Sequence, residues 1–374
     1  MKRRFNIERR RIAKQYTKIN RRLMILNLII ATLILVLFLI SGLSLGLRNA
    51  LYGFTNNDWL VILFYLLIFS LGVEILTLPI SFYDGYIIEH RFSLSNQTVS
   101  AWLKHKAKGF LVSFVLGIIF IEILYLCLRK TPSTWWIWMS LIWIVFTVVL
   151  SHLTPILLIP IFYKLTPLEN KELKTRLLNL SQKAGTKVKG VYRINLSKDT
   201  KKTNAGLTGI GGTRCIIVGD TMLSNYSEEE IEVTLAHELG HHYYRHIIKQ
   251  IASGAIFAFI GFYLTHLVLR GLTPNPSDIA YLPIFLLSFF GFSLLSSPIQ
   301  NTYSRFLERQ ADRFSLELSN NPDAFISNMI ALSDQNLSDI SPHRLVESLL
   351  YDHPSPIRRI RFAHNFAKRK GGRE

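Results

Sequence analysis

Cysteine and acidic residues are both scarce in this sequence of 374 residues. Its two cysteines are Cys127, inside an apolar run, and Cys215, in a short β-like run, so the chain can build neither a disulfide framework nor a cysteine zinc cluster. Asp and Glu together number 25 against 43 Lys and Arg, and charged residues make up only 18% of the chain. Any metal that this protein binds must therefore use histidine and carboxylate ligands.

Hydrophobic residues, in contrast, make up 49% of the chain. Spanning a bilayer takes about 20 apolar residues, and six segments are long enough. These segments cover residues 24–46, 59–81, 109–128, 135–162, 248–270 and 279–299. The sequence predicts a mostly α-helical, multi-pass integral membrane protein with a six-span bundle.

The net charge of +18 is concentrated beside and between these apolar segments. On a soluble domain such an excess would suggest nucleic acid, but the positive-inside rule accounts for it here, so no nucleic-acid partner is expected. The rule places the basic stretches, both termini and the polar block 163–247 on the cytoplasmic side. The short loops favour a bacterial cell membrane.

Five parts of the chain follow from this pattern. Residues 1–23 form a basic cytoplasmic tail, which is predicted to contact anionic lipid headgroups. The remaining parts are four spans in 24–162 with a cytoplasmic loop near 82–108, a polar block in 163–247, two spans in 248–299, and a second polar part with a basic tail in 300–374.

The region 163–247 alternates between helix and strand patterns. Residues 168–184 are predicted as an amphipathic helix, and residues 188–196, 207–210 and 214–219 as strands of a small β-sheet. Ser227, followed three residues later by Glu230, is a capping box that opens a long helix.

That long helix carries the motif His237-Glu238-Leu239-Gly240-His241. The four-residue spacing puts both imidazoles on one helical face, where they can share one Zn²⁺. Glu238 lies beside the first of these ligands and can act as general base on a metal-bound water. The same five-residue pattern also occurs by chance in unrelated proteins.

Two further histidines stand on this helix, His242 and His246. A helix turns by about 100° per residue, so His242 points away from the face that holds the metal. His246 is interpreted as an interfacial or cytoplasmic histidine rather than a ligand.

The third ligand is sought in the segment 304–312, just after the sixth span. Glu308 is the candidate ligand, and Asp312, one turn further on the same face, can accept the free ring N–H of a ligand histidine. The alternative is that Arg305, Glu308, Arg309 and Asp312 form surface ion pairs on a solvated helix.

Taken together, these residues resemble the type I CAAX prenyl endopeptidases, a family of integral-membrane gluzincin metalloproteases with bacterial members. The resemblance runs from about residue 70 to 360. Its motifs are Tyr86-Ile87-Ile88-Glu89-His90-Arg91-Phe92 with Asn96-Gln97-Thr98, Pro160 to Leu168, Asn204-Ala205 with Thr208-Gly209-Ile210-Gly211, the HExxH helix, Ser304 to Asp312, and His353-Pro354 with Arg359. Ser93-Leu94-Ser95 replaces the usual Gly-Phe-Asn, and by this resemblance the chain is expected to lack one N-terminal span of the eukaryotic enzymes.

The resemblance implies a zincin-like site with one Zn²⁺ per chain, held by His237, His241 and Glu308 and supported by Asp312. It also implies that Asn204 and Ala205 form a substrate-binding edge strand. His353 and Arg359 would contact the substrate or stabilise the oxyanion, although His353 can also be a residue that precedes a helix start.

The leading hypothesis is therefore a membrane zinc endopeptidase that acts on membrane-associated or prenylated proteins. Its catalytic region is predicted in 163–247 with a second part in 300–374, and its active site is expected on the cytoplasmic side. Quality control of damaged membrane proteins is the alternative within enzymes. A silent scaffold would show a broken ligand or base, and none is broken; a transporter would show discontinuous spans, and none is evident. The sequence leaves the oligomeric state open.

Overall fold

Six helices of the protein are long and apolar enough to cross a membrane, within residues 3–209 and 214–371 that the computed structural model describes. This confirms the predicted multi-pass, mostly helical architecture. Ile210 and Gly211, the end of the weak predicted strand and part of a quoted motif, lie outside the described residues, as does the end of the basic tail. The six helices are Ile7–Ile40, Asp58–Arg91, Val99–Lys130, Trp135–Phe162, His246–Leu272 and Ile279–Ser319.

The first span ends earlier than residue 46. Gly42 adopts a left-handed φ of 76°, which stops the helix and starts a second, shorter one. The helices of the N-terminal half are α1 (Ile7–Ile40), α2 (Leu43–Phe54), α3 (Asp58–Phe82), α4 (Glu89–Arg91), α5 (Val99–Lys130), α6 (Trp135–Leu153) and α7 (Ile159–Phe162). Two π-helical turns join α3 to α4 and α6 to α7, and they cover Tyr83–Ile88 and Thr154–Leu158.

Two segments that were predicted as a tail and a loop are largely helical in the structure. The basic tail is helical from Ile7 onward, because the side chain of Asn6 caps the first turn by accepting from the backbone N–H of Arg9. Most of the loop expected near 82–108 is helical too, so the connection between α4 and α5 is only residues 92–98.

Aromatic and aliphatic side chains fill the centre of the membrane bundle. Trp135 is fully buried and packs edge-on against Phe262, with ring centroids 6.2 Å apart. Large apolar side chains of the outer faces stay exposed, as along α1 at Leu33, Leu37 and Ile40. An apolar surface of this kind fits contact with lipid rather than with water.

A four-stranded sheet begins the catalytic unit. Its strands are β1 (Leu165–Pro167), β2 (Gly190–Ile194), β3 (Ala205–Thr208) and β4 (Cys215–Gly219). They lie in the order β1-β2-β4-β3, with β2 parallel to β4 and the other two pairs antiparallel. The sheet therefore has β3 as one edge. β1 is a strand that the sequence pattern did not predict.

Helices complete the catalytic unit around this sheet. They are α8 (Lys171–Lys183), α9 (Asp220–Asn225), α10 (Glu228–Tyr243), α11 (His246–Leu272), α12 (Leu282–Ser319), α13 (Pro322–Gln335), α14 (Arg344–Leu350) and α15 (Pro356–Gly371). The capping box of Ser227 and Glu230 is present at the start of α10, as predicted. Helices α11 and α12 belong both to the membrane bundle and to the catalytic unit. They contain the fifth and sixth candidate spans, and they also contact other helices of the catalytic unit.

His246 was predicted to lie on the motif helix, and this prediction is wrong. Helix α10 ends at Tyr243, and Arg245 takes a left-handed conformation with φ 54° and ψ 41° before α11 begins at His246. The left-handed residue breaks the helical hydrogen-bond ladder and changes the direction of the chain.

The basic segment before the first span packs against the catalytic unit. Arg3 donates to Glu230 at 2.9 Å and to the backbone oxygen of Asn225 at 2.8 Å. Arg10 donates to Asp334 of α13. These contacts tie the start of α1 to residues far along the chain; contact of the segment with lipid headgroups stays a prediction.

Candidate metal centre

Helix α10 positions the two motif histidines. The capping box fixes its start, and buried apolar residues such as Ile231, Leu235 and Leu239 hold it against the sheet and α8. His237 and His241 then project from one face, with their Nε2 atoms 3.1 Å apart. The four-residue spacing therefore places two imidazole nitrogens at one point, as the helical period requires.

A glycine lets α12 approach this face closely. A Cβ at Gly240 would lie 3.0 Å from the Cα of Ala311 and 3.1 Å from the Cβ of Phe314. Nearby, the hydroxyl of Ser315 donates to the backbone oxygen of Val233 at 2.7 Å, which joins the two helices again. This close approach brings a carboxylate of α12 to the histidines.

Glu308 is that carboxylate, and it is buried. Its Oε2 lies 3.2 Å from Nε2 of His237, and its Oε1 lies 3.2 Å from Nε2 of His241. Among the described residues, these three form the one group whose donor atoms could hold a metal ion, with all three atoms within 4.8 Å of one another. Surface ion pairing does not describe Glu308, since it faces inward.

Asp312 lies behind His237, on the side away from the convergence point. Its Oδ1 is 3.0 Å from Nδ1 of His237. Arg359 of α15 donates to the same carboxylate from Nε at 2.9 Å and also from Nη2. Because an ionised carboxylate can only accept, Nδ1 of His237 carries the hydrogen and its Nε2 presents a lone pair to the centre.

The electrostatics of His237 follow from these neighbours. Burial lowers the pKa of the imidazole, but the Asp312 and Glu308 carboxylates outweigh burial and raise its pKa to about 9. In neutral solution the ring therefore attracts a second proton at Nε2. A bound metal ion would replace that proton, so metal binding releases it.

His246 occupies a place behind His241 that the sequence did not predict. Its Nδ1 lies 3.0 Å from Nδ1 of His241, and its Nε2 lies 3.0 Å from Oε1 of Gln310. The side chain is fully buried. No periodicity signals this contact, because it depends on the left-handed residue Arg245.

The donor set fits a metal ion. Two imidazole nitrogens and the two oxygens of one carboxylate face one another at 3.1 to 3.2 Å, and the buried Oε2 of Glu308 has no hydrogen-bond partner among the described residues. Facing lone pairs repel one another at this range unless a proton or a metal ion lies between them. Two histidines with one carboxylate are a common ligand set of catalytic zinc.

Two further residues, Glu238 and His353, were predicted to act at this site. Glu238 is half-buried and makes no hydrogen bond or ion pair with any residue that the structure describes, so its carboxylate is available to a substrate or water. His353, in the turn before α15, has Nε2 3.3 Å from Oε1 of Glu308 and Nδ1 2.9 Å from Oδ1 of Asp352. The hydrogen bond to Asp352 raises the pKa of His353 above its usual value.

The predicted substrate strand lies at the edge of the sheet. Ala205 begins β3, which pairs only with β4 among the described residues, and the exposed Asn204 directly precedes it. Ala205 and Leu207 pack beside the core that carries α10. Arg359, in contrast, is engaged with Asp312, so its contact with a substrate stays a prediction.

Known proteins share both halves of this architecture. The model of peptidase family M48 matches residues 167–367, and the model described as CAAX prenyl protease N-terminal, five membrane helices, matches residues 1–164. The crystal structure of S. mikatae Ste24p has the same fold, with a TM-score of 0.86 at 22% identity over 96% of this chain and 89% of that chain.

Curated relatives agree with these matches. The chain is 28% identical over 361 residues to the uncharacterized metalloprotease YhfN of Bacillus subtilis (strain 168), covering 94% of this chain and 84% of that protein. It is 27% identical over 310 residues to CAAX prenyl protease 1 of Saccharomyces cerevisiae, covering 76% of this chain and 67% of that protein.

The fold and the site thus define an integral-membrane metalloprotease. The chain belongs to peptidase family M48, with the membrane architecture of the CAAX prenyl proteases.

Proposed function

We propose that this protein is a zinc endopeptidase that cleaves peptide bonds of membrane-anchored substrates, with prenylated, CAAX-like proteins as the substrate class. The observation that carries the proposal is the convergence of His237, His241 and Glu308 within 3.1 to 3.2 Å. The substrate class rests on relatives named CAAX prenyl protease 1.

His237, His241 and Glu308 would hold the zinc ion, and Asp312 would support the first of these ligands. When bound there, zinc would polarise the scissile carbonyl and lower the pKa of a water molecule that attacks it. Because the protein would supply three ligands, a position would remain for that water.

Glu238 acts as the general base. Its carboxylate accepts a proton from the attacking water and then delivers it to the leaving nitrogen of the cleaved bond. His353 carries a raised pKa at the rim of the site, which suits it to donate a hydrogen bond to the oxygen that gains negative charge.

The edge strand β3 positions the substrate. An extended peptide can add to the side of β3 that no described strand occupies, through main-chain hydrogen bonds, with Asn204 and Ala205 at the start of the strand. This strand packs beside α10, so a peptide lying along it passes the motif helix.

The preference for membrane-anchored substrates is inferred from the position of the proposed metal ligands on the helices. Glu308 lies beyond residue 299, the predicted end of the sixth span, by about 14 Å at 1.5 Å per residue. His241 lies shortly before the start of α11. The site therefore lies near the membrane boundary, on the side that we assign to the cytoplasm from its basic segments.

The first test combines metal analysis with the variant Glu238→Gln. We expect about one zinc per chain in both proteins, with turnover lowered by about 10²- to 10⁴-fold in the variant, because the base is lost and the ligands remain. His237→Ala combined with His241→Ala is the metal control. Stoichiometric zinc in that double variant, or full turnover in Glu238→Gln, would contradict the assignment.

The second test concerns the substrate. In one liposome preparation, kcat/KM is measured for a prenylated peptide and for the same peptide without its lipid. We expect a higher value for the prenylated peptide, because partition into the bilayer raises its concentration at the site. Equal values would remove the membrane-anchored substrate class and leave the zinc chemistry standing.

A further inference from the structure

His246 is a fully buried polar side chain with a partner at each ring nitrogen. Nδ1 faces Nδ1 of His241 at 3.0 Å, and Nε2 faces Oε1 of Gln310 at 3.0 Å. The ring also stacks on Tyr244, with centroids 5.6 Å apart and planes 16° from parallel. These contacts fix the orientation of the His246 ring.

The chemistry of these partners sets the direction of the hydrogen bonds. The amide oxygen of Gln310 can only accept, so Nε2 of His246 donates to it. In the neutral ring Nδ1 is then an acceptor, and it accepts from Nδ1–H of His241. His241 is thereby left with a lone pair on Nε2, the atom that lies 3.2 Å from Glu308.

This arrangement requires the break between α10 and α11. In an uninterrupted helix, a residue five positions after His241 would point about 140° away from it. The left-handed backbone of Arg245 (φ 54°, ψ 41°) turns the chain so that His246 faces back toward His241. A non-glycine residue costs free energy in this conformation, and such strain often accompanies functional sites.

We propose that His246 is a positioning residue for the metal ligand His241. Through the chain Gln310, His246, His241 it selects the tautomer of His241 that binds metal and fixes the direction of its ring. The inference rests on the proposed metal site. His246 does not itself act as a ligand, because its ring lies on the Nδ1 side of His241, opposite the Nε2 atom that faces Glu308.

The experiment measures zinc affinity rather than turnover. Purified wild type and variants in detergent are stripped of metal, and the zinc dissociation constant is determined by competition with a chromogenic chelator. The thermal midpoint of each metal-free protein is recorded in parallel. His246→Leu removes the acceptor, His246→Asn keeps an amide oxygen near the position of Nδ1, and Gln310→Met removes the distant partner.

We expect His246→Leu to raise the zinc dissociation constant by about 10- to 100-fold, the usual cost of losing the partner of a ligand histidine. His246→Asn should return most of that affinity, and the thermal midpoint of the metal-free protein should change little between the Leu and Asn variants. Gln310→Met should weaken binding in the same direction, by less. If His246→Leu does not fold, Gln310→Met and His246→Asn still test the hydrogen-bond chain from Gln310 through His246 to His241.

Arg245→Gly is the matched control. Glycine adopts the left-handed conformation without strain, so this variant keeps the position of His246 and should keep wild-type affinity. Unchanged affinity in His246→Leu would overturn the inference, and so would equal losses in the Leu and Asn variants. Complete loss of zinc in His246→Leu would make His246 a ligand. Absence of zinc from the wild type would instead refute the proposed metal site.

Discussion

The two sides of the metal centre support their histidines by different means. Behind His237 lie a carboxylate and a guanidinium, Asp312 and Arg359, and the second comes from a helix 122 residues further along the chain. Behind His241 lies the neutral pair of His246 and Gln310, with His246 only five residues away. The charged side needs both α12 and α15 to pack beside α10, whereas the neutral side needs α12, which carries Gln310, and the backbone turn at Arg245.

This difference has an energetic consequence. A carboxylate that accepts from a ligand imidazole raises its basicity more than a neutral ring does, because the charge of the carboxylate stabilises positive charge on the imidazole. The charged side also contains an ion pair whose members are both largely buried, so removal of one leaves the other without compensation. We therefore expect the charged side to be the more sensitive to substitution.

Asp312→Ala should produce the larger loss. We expect zinc affinity to fall by about 100-fold, the upper end of the range for such partners, and unfolding free energy to fall by about 3 to 5 kcal/mol, because Arg359 stays buried without its partner. Chelator competition and thermal denaturation measure the two effects.

The double variant Asp312→Ala, Arg359→Ala sharpens this comparison. Without the unpaired guanidinium, stability should recover in part while zinc affinity stays low. If Asp312→Ala binds zinc no more weakly than His246→Leu does, the charge of the carboxylate has no special part in supporting His237.

Gly240→Ala should affect both sides equally, with a smaller effect. The added methyl group would meet the backbone of Ala311 at 3.0 Å, so α10 and α12 must separate slightly and Glu308 moves from both histidines. Overpacking of this kind costs about 1 to 3 kcal/mol. We expect a lower thermal midpoint of the metal-free protein together with weaker zinc binding.

Gly254→Ala in α11 is the control for Gly240→Ala, because a Cβ at Gly254 would meet nothing within 4 Å. The control should keep both stability and zinc affinity. A Gly240→Ala variant that behaves like this control would show that close contact of the two helices is not needed to assemble the site.

Much of the architecture could be predicted from the sequence because its signals are local. Six apolar runs predicted six helices, and the capping box of Ser227 and Glu230 predicted the start of α10. The four-residue spacing of His237 and His241 predicted a shared face, and their Nε2 atoms do lie together. The period of a helix alone gives these results.

Features that depend on tertiary contacts escaped prediction. Arg245 is neither glycine nor proline, so nothing in its own chemistry announces a left-handed turn. The ring of His246 faces His241 only because of that turn, and Arg359 meets Asp312 only because α15 packs on α12. The three-residue strand β1 is too short for an alternating pattern to reveal it.

The contacts of Arg3 and Arg10 bear on the order in which the molecule can assemble. Their partners, Glu230 and Asp334, lie 227 and 324 residues later. During synthesis α1 is made before these partners, so Arg3 cannot form its contact until Glu230 has been made, and Arg10 cannot until Asp334 has been made. The span α1 is made before the other five candidate spans, yet Arg10 meets its partner only after all of them have been made, and its docking closes a loop of 324 residues, a slow class of contact to form.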